Sequence, residues 1–474
     1  MIKTKIIATL GPSCRRADTI KAMIDNGVDV FRMNFSHGTL DEHAETLEAM
    51  NSARGRHHHT TAVMGDLCGP KIRTGRINPE GEVLCAGDEV VISSGEEAGT
   101  VKRFGTNYER FVQDVKVGHR IFIDDGQITL SVVAKNDSRT ICKVEVGGPL
   151  YSHKGINLPD TEISIPSITE RDWECTDWAI QHNLDFLALS FVRSAEEINQ
   201  LKDYIRKSGK DIKVVAKIEK PQALNHLEDI ISASDVILVA RGDLGVEMDV
   251  AEVPLIQKRI THMCRRLGKP VVVATQMLQS MINSPTATRA EVSDVANAII
   301  DLTDAVMLSG ETAVGKYPLE AAQTIQRIAR VTEAYLDQNK IVRPKTTATD
   351  ELLLTAAMTR SVGQIVDDIA AKLVVVWSQT GSTARFLSKA RIDVPILALS
   401  SDQRSCQQMC LHYGVIPRCK PIPKDISEFT RMAEQLLISS NWAKVGDKII
   451  LVAGKPLGAA GTTNAIMVHT ITAS

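Results

Sequence analysis

Two carboxylates and three cationic side chains stand where short apolar runs end. In VVAKIEK, Lys217 and Glu219 lie two residues apart, so an extended strand projects both from one face. Opposite charges within an apolar strand are costly unless paired or coordinated, and a structural salt bridge satisfies that need as well as a catalytic role does. The run VILVARGDLGVE ends in Arg241-Gly242-Asp243-Leu244-Gly245, whose glycines permit a tight turn and close backbone approach. If neighbouring strands carry Glu219 and Asp243, the two carboxylates converge on one ion. A site with two carboxylates and few other protein ligands suits Mg²⁺ or Mn²⁺, which keep waters and accept substrate oxygens. Arg32 in RMNFSHG and Arg73 in GPKIRTG join Lys217 at the same level. Together they imply an anionic substrate carrying phosphate or carboxylate. Thr275 in ATQM adds a hydroxyl there, which reads equally well as a helix N-cap.

These residues need strands to position them. Eight short β-branched runs begin at Lys5, Val28, Ala62, Phe186, Lys213, Val236, Val271 and Ala305, most of them roughly 20 to 36 residues apart with helical periodicity between. That is the arithmetic of a (β/α)₈ barrel, with a doubly wound open sheet as the alternative. About 120 residues separate the third run from the fourth. Within that gap, residues 69–167 are rich in turn glycines and alternating strands, which predicts a small, β-barrel-like all-β domain inserted into one βα loop and overhanging the mouth as a lid. The barrel itself then comprises 1–68 and 168–342. The segment RPKTTATD reads as a linker, and 350–474 restarts an alternation of helices and strands that predicts an open α/β domain. The internal run His57-His58-His59 reads as a solvent-exposed loop, not a metal site.

Composition narrows the partners. The 474 residues hold 55 Lys+Arg against 57 Asp+Glu, so no global field favours nucleic acid or an acidic membrane. Aromatic residues, at 4%, are too scarce for stacked-base recognition. No apolar run reaches the ~18 residues of a bilayer span, and the N-terminus lacks the pattern of a signal peptide. The nine scattered cysteines include no C-x-x-C pair, which fits reduced thiols in a cytoplasmic protein.

The strings RMNFSHG, GDLCGPKIRTG, KGINLP, AKIEK, ARGDLGVE, ATQMLQSM, PTATRAEVSDVANA and DAVMLSGETAVGKYPLEA occur in this order across nearly the whole chain. Together they resemble the pyruvate kinase family. The resemblance implies phosphoryl transfer from phosphoenolpyruvate to ADP. It implies that Arg32 holds the transferring group, Glu219 and Asp243 bind the divalent metal, and Lys217 stabilises charge on the phosphoryl group and the enolate. The backbone at Gly242 and Asp243 would meet the substrate carboxylate, and Thr275 would help to protonate the enolate. Asn34, Ser36, His37, Arg73 and Lys154 match the family's nucleotide and cation contacts. A homotetramer is implied as well.

Two departures stand out. Many family members hold K⁺ beside the equivalents of Asn34, Ser36 and Asp66 and carry Glu where this chain has Lys71. The Lys71 ammonium would supply that positive charge itself. With Leu67 and Cys68 alongside, this is similar to the K⁺-independent branch and predicts Mg²⁺-dependent activity without K⁺. Lys220 stands where Asn is common, and the sequence offers no account of it. In the C-terminal part, Ser378, Thr380, Gly381, Ser382 and Thr383 follow an apolar run and precede a helix, the makings of a phosphate cradle. They resemble the family's effector loop, with Lys455 and GAAGTT (458–463) as its facing loop and a phosphorylated sugar or nucleotide as effector. Two other readings remain open at this point: a barrel lyase acting on phosphoenolpyruvate or pyruvate, and a catalytically inactive phosphosugar sensor.

Overall fold

The structure, a computed structural model, describes residues 2–55, 60–95, 98–339, 353–458 and 463–472. The histidine run at 57–59, the linker and most of GAAGTT lie outside the described residues. Eight parallel strands close a barrel: β1 (Lys5–Thr9), β2 (Val30–Asn34), β3 (Ala62–Asp66), β4 (Phe186–Leu189), β5 (Lys213–Ile218), β6 (Val236–Ala240), β7 (Val271–Ala274) and β8 (Ala305–Leu308), with β8 pairing back onto β1. The open-sheet alternative is therefore excluded. Successive side chains alternate between two environments. Ile7, Val30, Met64, Phe186, Val215, Leu238 and Val272 fill the interior, while Ile6, Phe31, Val63, Leu187, Val214, Ile237 and Val273 meet the surrounding helices.

Between β3 and β4 the chain forms a six-stranded sheet and a two-stranded companion around an apolar core of their own, which includes Val90, Phe104, Phe111, Ile121 and Leu130. Its attachment to the barrel is held at both ends. On the way out, Asp172 Oδ1 accepts from the backbone N–H groups of Cys68 (2.9 Å) and Gly69 (3.2 Å). Gly69 has φ +64°, and a Cβ there would lie 2.6 Å from the Phe191 ring, so only glycine fits. On the return, Arg193 donates to the carbonyls of Ile163 (2.7 Å) and Ile165 (2.9 Å).

The C-terminal sheet holds four parallel strands, Leu373–Trp377, Ile396–Ser400, Val415–Cys419 and Lys448–Gly454, plus antiparallel Thr463–Thr470 at one edge. Helices cover both of its faces. Cys410 and Leu411 leave this unit to join the apolar cluster inside the barrel, plugging its floor. All nine cysteines are free thiols, and no helix among the described residues is long and apolar enough to cross a membrane.

Candidate active site

The interior alternation of the barrel strands continues upward into polar residues at their C-terminal ends. Two residues beyond Ile7, Val30, Met64, Ala188 and Val215 stand Thr9, Arg32, Asp66, Ser190 and Lys217. Each is thus pointed at the axis by the same pleat that buries the apolar layers below. Asp66 is the hub. One oxygen lies 2.6 Å from Arg32 Nε and 2.5 Å from an Arg32 Nη, and the other lies 3.3 Å from Lys217 Nζ. Lys217 Nζ also donates to Glu219 Oε1 (2.8 Å) and Ser190 Oγ (2.8 Å), and Arg32 donates to Thr9 Oγ1 (3.1 Å). Glu219 Oε2 accepts from the Phe191 N–H at 2.9 Å.

Burial sets the electrostatics. Burial alone would raise Asp66, but the charges of Lys217 and Arg32 outweigh it and hold the carboxyl below its ordinary range. Burial would likewise lower Lys217, yet Asp66 and Glu219 keep its ammonium protonated well above the usual lysine range. Glu219 is pushed upward, first by burial and then, against the pull of Lys217, by repulsion from Asp243. That repulsion means that Asp243, in the first turn of the helix Arg241–Glu247, faces the same space from the neighbouring strand's end. Two hard oxygen donors that repel one another in a buried site fit a divalent cation. Among the described residues no group of three or more acidic, His or Cys side chains gathers around one point, so such an ion would complete its shell from water and substrate.

Thr275 does not cap its own helix. It sits in the left-handed region at φ +68°, and its hydroxyl accepts from Gly242 N (2.7 Å) while donating to Ala274 O (2.6 Å). The sequence places it at the strand end but cannot reveal this cross-strand bond. Asn34 Oδ1 accepts from Ser36 N at 3.1 Å, turning the chain toward His37. Burial and then the charges of Lys71, Arg73 and Arg32 lower His37, so these groups share one neighbourhood. The side chain of Arg73 bonds His153 O (2.9 Å), and Lys154 pairs with Asp124 (3.0 Å), so both are held by lid partners.

Other groups at the mouth carried no signal in the sequence. A cavity of about 390 Å³ lies against Asn34 and His37 and is lined also by Pro12, Arg15, Glu42 and His43. A narrower cleft between lid and barrel is lined by Lys71, Arg193, Lys220 and Asp243. Lys220 now has an account: it pairs at 2.5 Å with buried Glu247, whose same oxygen accepts from Asn157 of the lid at 2.7 Å. Glu247 lies 27 residues from Lys220 and 90 from Asn157, so nothing local announces the network.

Comparison with known proteins agrees with this geometry. The family model described as "Pyruvate kinase, barrel domain" matches residues 1–322, and "Pyruvate kinase, alpha/beta domain" matches 356–469. The chain is 40% identical to a pyruvate kinase of Mycobacterium tuberculosis over 470 residues, covering 98% of both chains. It is 39% identical to one of Thermococcus litoralis, covering 99% of this chain and 98% of that one. A crystal structure of a pyruvate kinase from Cryptosporidium parvum superposes with a TM-score of 0.92 at 32% identity, covering 99% of this chain and 96% of that one. Enzymes of this family transfer phosphate between phosphoenolpyruvate and ADP and generally use Mg²⁺ and K⁺, and neither the lyase nor the inactive-sensor reading is favoured. With both domains matched and full-length relatives at this identity, the chain belongs to the pyruvate kinase family.

Proposed function

We propose that the Arg32–Asp66–Lys217–Glu219 cluster performs phosphoryl transfer from phosphoenolpyruvate to ADP, giving pyruvate and ATP. The observation that carries this reading is the shared Asp66, which fixes Arg32 and Lys217 side by side at the barrel axis. Phosphoryl transfer asks the protein for positioning and charge stabilisation more than for covalent chemistry. Arg32 holds the phosphoryl oxygens, and Lys217 Nζ meets the charge that develops as the P–O bond to the enolate breaks. Glu219 and Asp243 would hold Mg²⁺ (or Mn²⁺), which would supply charge neutralisation for the anionic substrate. The backbone at Gly242 and Asp243 receives the substrate carboxylate. Thr275 Oγ relays a solvent proton to the enolate carbon, taking one up from water as it gives one, so its hydroxyl is unchanged at the end of the step.

ADP occupies the cavity beside Asn34 and His37, and the lid brings Arg73 and Lys154 over its phosphates. Lys71 takes the place of K⁺ in the region of Asn34, Ser36 and Asp66. The proximity of its charge to His37 supports this reading. The catalytic barrel spans 1–68 and 168–342, the lid 69–167 and an effector-binding unit 350–474. Thr380, Gly381 and Ser382 of the effector loop line an open cavity. Ser378 Oγ accepts from the Ala384 N–H, and Thr383 Oγ1 bonds Thr463 Oγ1, so these two hydroxyls also hold the loop in shape. The enzyme works in the cytoplasm as an allosteric homotetramer. The test is pyruvate formation from phosphoenolpyruvate and ADP with Mg²⁺. Failure to form pyruvate and ATP in equal amounts overturns the reading.

A further inference from the structure

Where the lid leaves and rejoins the barrel, one buried cation has neighbours on both connections. Lys220 directly follows Glu219 just beyond β5, and its ammonium pairs at 2.5 Å with Glu247 Oε1. The two residues are 8% and 3% exposed, so the pair is largely closed to water. Glu247 ends the helix Arg241–Glu247, one turn beyond Asp243 and on the same face. The oxygen that Lys220 holds also accepts from Asn157 Nδ2 of the lid at 2.7 Å, and the other, Oε2, is buried without a hydrogen-bond partner. On the outgoing side, the Lys220 ammonium lies 5.7 Å from the centroid of the Phe191 ring, the same ring that leaves room only for glycine at position 69.

Asn157 matters for what lies along its strand. The Ile156 N–H donates to Ile72 O (2.9 Å), the Thr74 N–H donates to Lys154 O (2.8 Å), and Gly155 pairs with Arg73 in an antiparallel bridge. Residues 154–157 and 72–74 therefore form one ladder, which carries Lys154 and Arg73 together. A buried carboxylate is costly unless a cation is fixed beside it. Lys220 thus fixes Glu247, and Glu247 fixes the ladder through Asn157. We propose that Lys220, Glu247 and Asn157 form a latch that sets this ladder against the metal-binding end of the barrel, with Lys220 as a positioning residue for the nucleotide. Its ammonium is committed to Glu247, so it acts through Asn157 on Arg73 and Lys154. This rests on the reading of those two residues as ADP contacts and goes further, since it assigns their placement to a charge in the barrel.

The test is a set of saturation curves for ADP and for phosphoenolpyruvate, at saturating Mg²⁺, on the full-length protein. Asn157→Ala cuts the latch on the lid side and keeps the buried ion pair. It should raise the ADP concentration needed for half-maximal rate about tenfold, the loss of one hydrogen bond to a charged group. The phosphoenolpyruvate value and kcat should change by less than about threefold. Lys220→Met should raise the ADP value at least as much, and Lys220→Arg, which keeps a charged donor for Glu247, should restore most of it. If Lys220→Met does not fold, Lys220→Met/Glu247→Gln, which removes both charges, serves the same comparison. Adding Asn157→Ala to Lys220→Met should cost little more than Lys220→Met alone, because both act on one network. Hydrogen exchange should quicken at 72–74 and 154–157 in these variants but not at Phe104 or Ile121 in the lid core, which separates a loosened latch from a loosened fold. Equal losses for ADP and phosphoenolpyruvate, multiplying effects in the combined variant, or a wild-type ADP curve for Asn157→Ala overturn the proposal. Lys154→Met is the control: if it raises the ADP value and the latch variants do not, the nucleotide reading stands and the latch falls. If none of them moves the ADP value, both fall.

Discussion

The mouth of the barrel and its floor both gather basic side chains, and they treat them in opposite ways. At the mouth, Arg32 and Lys217 share the Asp66 carboxylate, and Lys217 has Glu219 as well, so positive charge is neutralised before any substrate arrives. At the floor, in the open cavity lined by Thr380, Gly381 and Ser382, Lys269 and Arg385 lean on main-chain oxygens. The consequence shows in their protonation: Lys217 is held above the ordinary lysine range, whereas burial and then the Arg385 charge push Lys269 down to about 8. A catalytic cation serves best when it is fixed in place and stabilises charge only as that charge develops, because tight ground-state binding does not speed the chemical step. A binding cation gains by remaining without a partner until the ligand comes. A third arrangement lies beside the floor cavity: buried Lys389 and Arg391 both contact Asp304, the latter at 3.1 Å. This cluster is paired like the mouth but is closed to solvent, and it joins the C-terminal unit to the barrel.

Substitutions can break this three-way comparison. The largest effect is expected for Lys217→Met, which removes a preorganised transition-state donor and should lower kcat on the order of 10²- to 10³-fold. Removing the ammonium also leaves buried Glu219 and Asp66 short of a counter-charge, so the variant should lose stability as well, and its turnover is compared well below its unfolding midpoint. Wild-type turnover at saturating phosphoenolpyruvate, ADP and Mg²⁺ in that variant removes Lys217 from the mechanism. Lys389→Met should do the reverse. It leaves buried Asp304 with Arg391 alone, and breaking such a pair costs about 3 kcal/mol. Denaturant titration should show that loss while kcat at 25 °C stays near wild type. An unchanged midpoint would mean that Arg391 compensates fully.

What was legible in the sequence follows the range of the interactions. The barrel strands announce themselves because each is a short β-branched run fully buried on both faces, as in β1 and β3. Lys217 and Glu219 are legible because two residues on one strand fix their own spacing. Arg32 and Asp243 were placed at the mouth because the barrel rule sets strand ends there. The role of Asp66 was not legible: its bonds run to Arg32 on the preceding strand and to Lys217 two strands further on, and no spacing in the sequence links the three. The same holds for Lys220, whose partner Glu247 comes from a helix and is shared with Asn157 of the lid. Thr275 reads equally well from sequence as a hydroxyl at the mouth or as a cap, and a positive φ with a bond to the N–H at a neighbouring strand's end decides against the cap. In the 378–383 loop, composition identified the turn but not the local bonds of Ser378 and Thr383, which run to a main-chain N–H and to a threonine 80 residues away.

Smaller effects sharpen the comparison at the mouth. Lys71→Glu places a carboxylate where the ammonium now stands, so an added monovalent cation should become useful. Activity of the variant in a tetramethylammonium buffer is expected to fall about tenfold and to recover with K⁺, a change of roughly 1.4 kcal/mol. The wild type should be indifferent to K⁺. Strict K⁺ dependence of the wild-type enzyme contradicts the substitution of the ion by Lys71.

The smallest effect distinguishes the floor from the mouth by pH. Lys269 is faced by Arg385, Asp235, Lys202 and Cys264, and it loses its proton near pH 8 in the free protein. The folded pKa is depressed below the unfolded value, so folding releases protons between pH 8 and about 10.4. This group's contribution to stability therefore declines as pH falls through that window and is level below pH 8. An anion bound against it restores the charge, so binding at pH 8, where a phosphate is already fully ionised, should draw in about half a proton. Affinity should then weaken several-fold, by at most about tenfold, between pH 7 and 9. Titrations in buffers of differing ionisation enthalpy read this uptake directly, and Lys269→Met should abolish it. If uptake persists in that variant, another group holds the phosphate, and the contrast with Lys217, already charged and already paired, loses its basis at the floor.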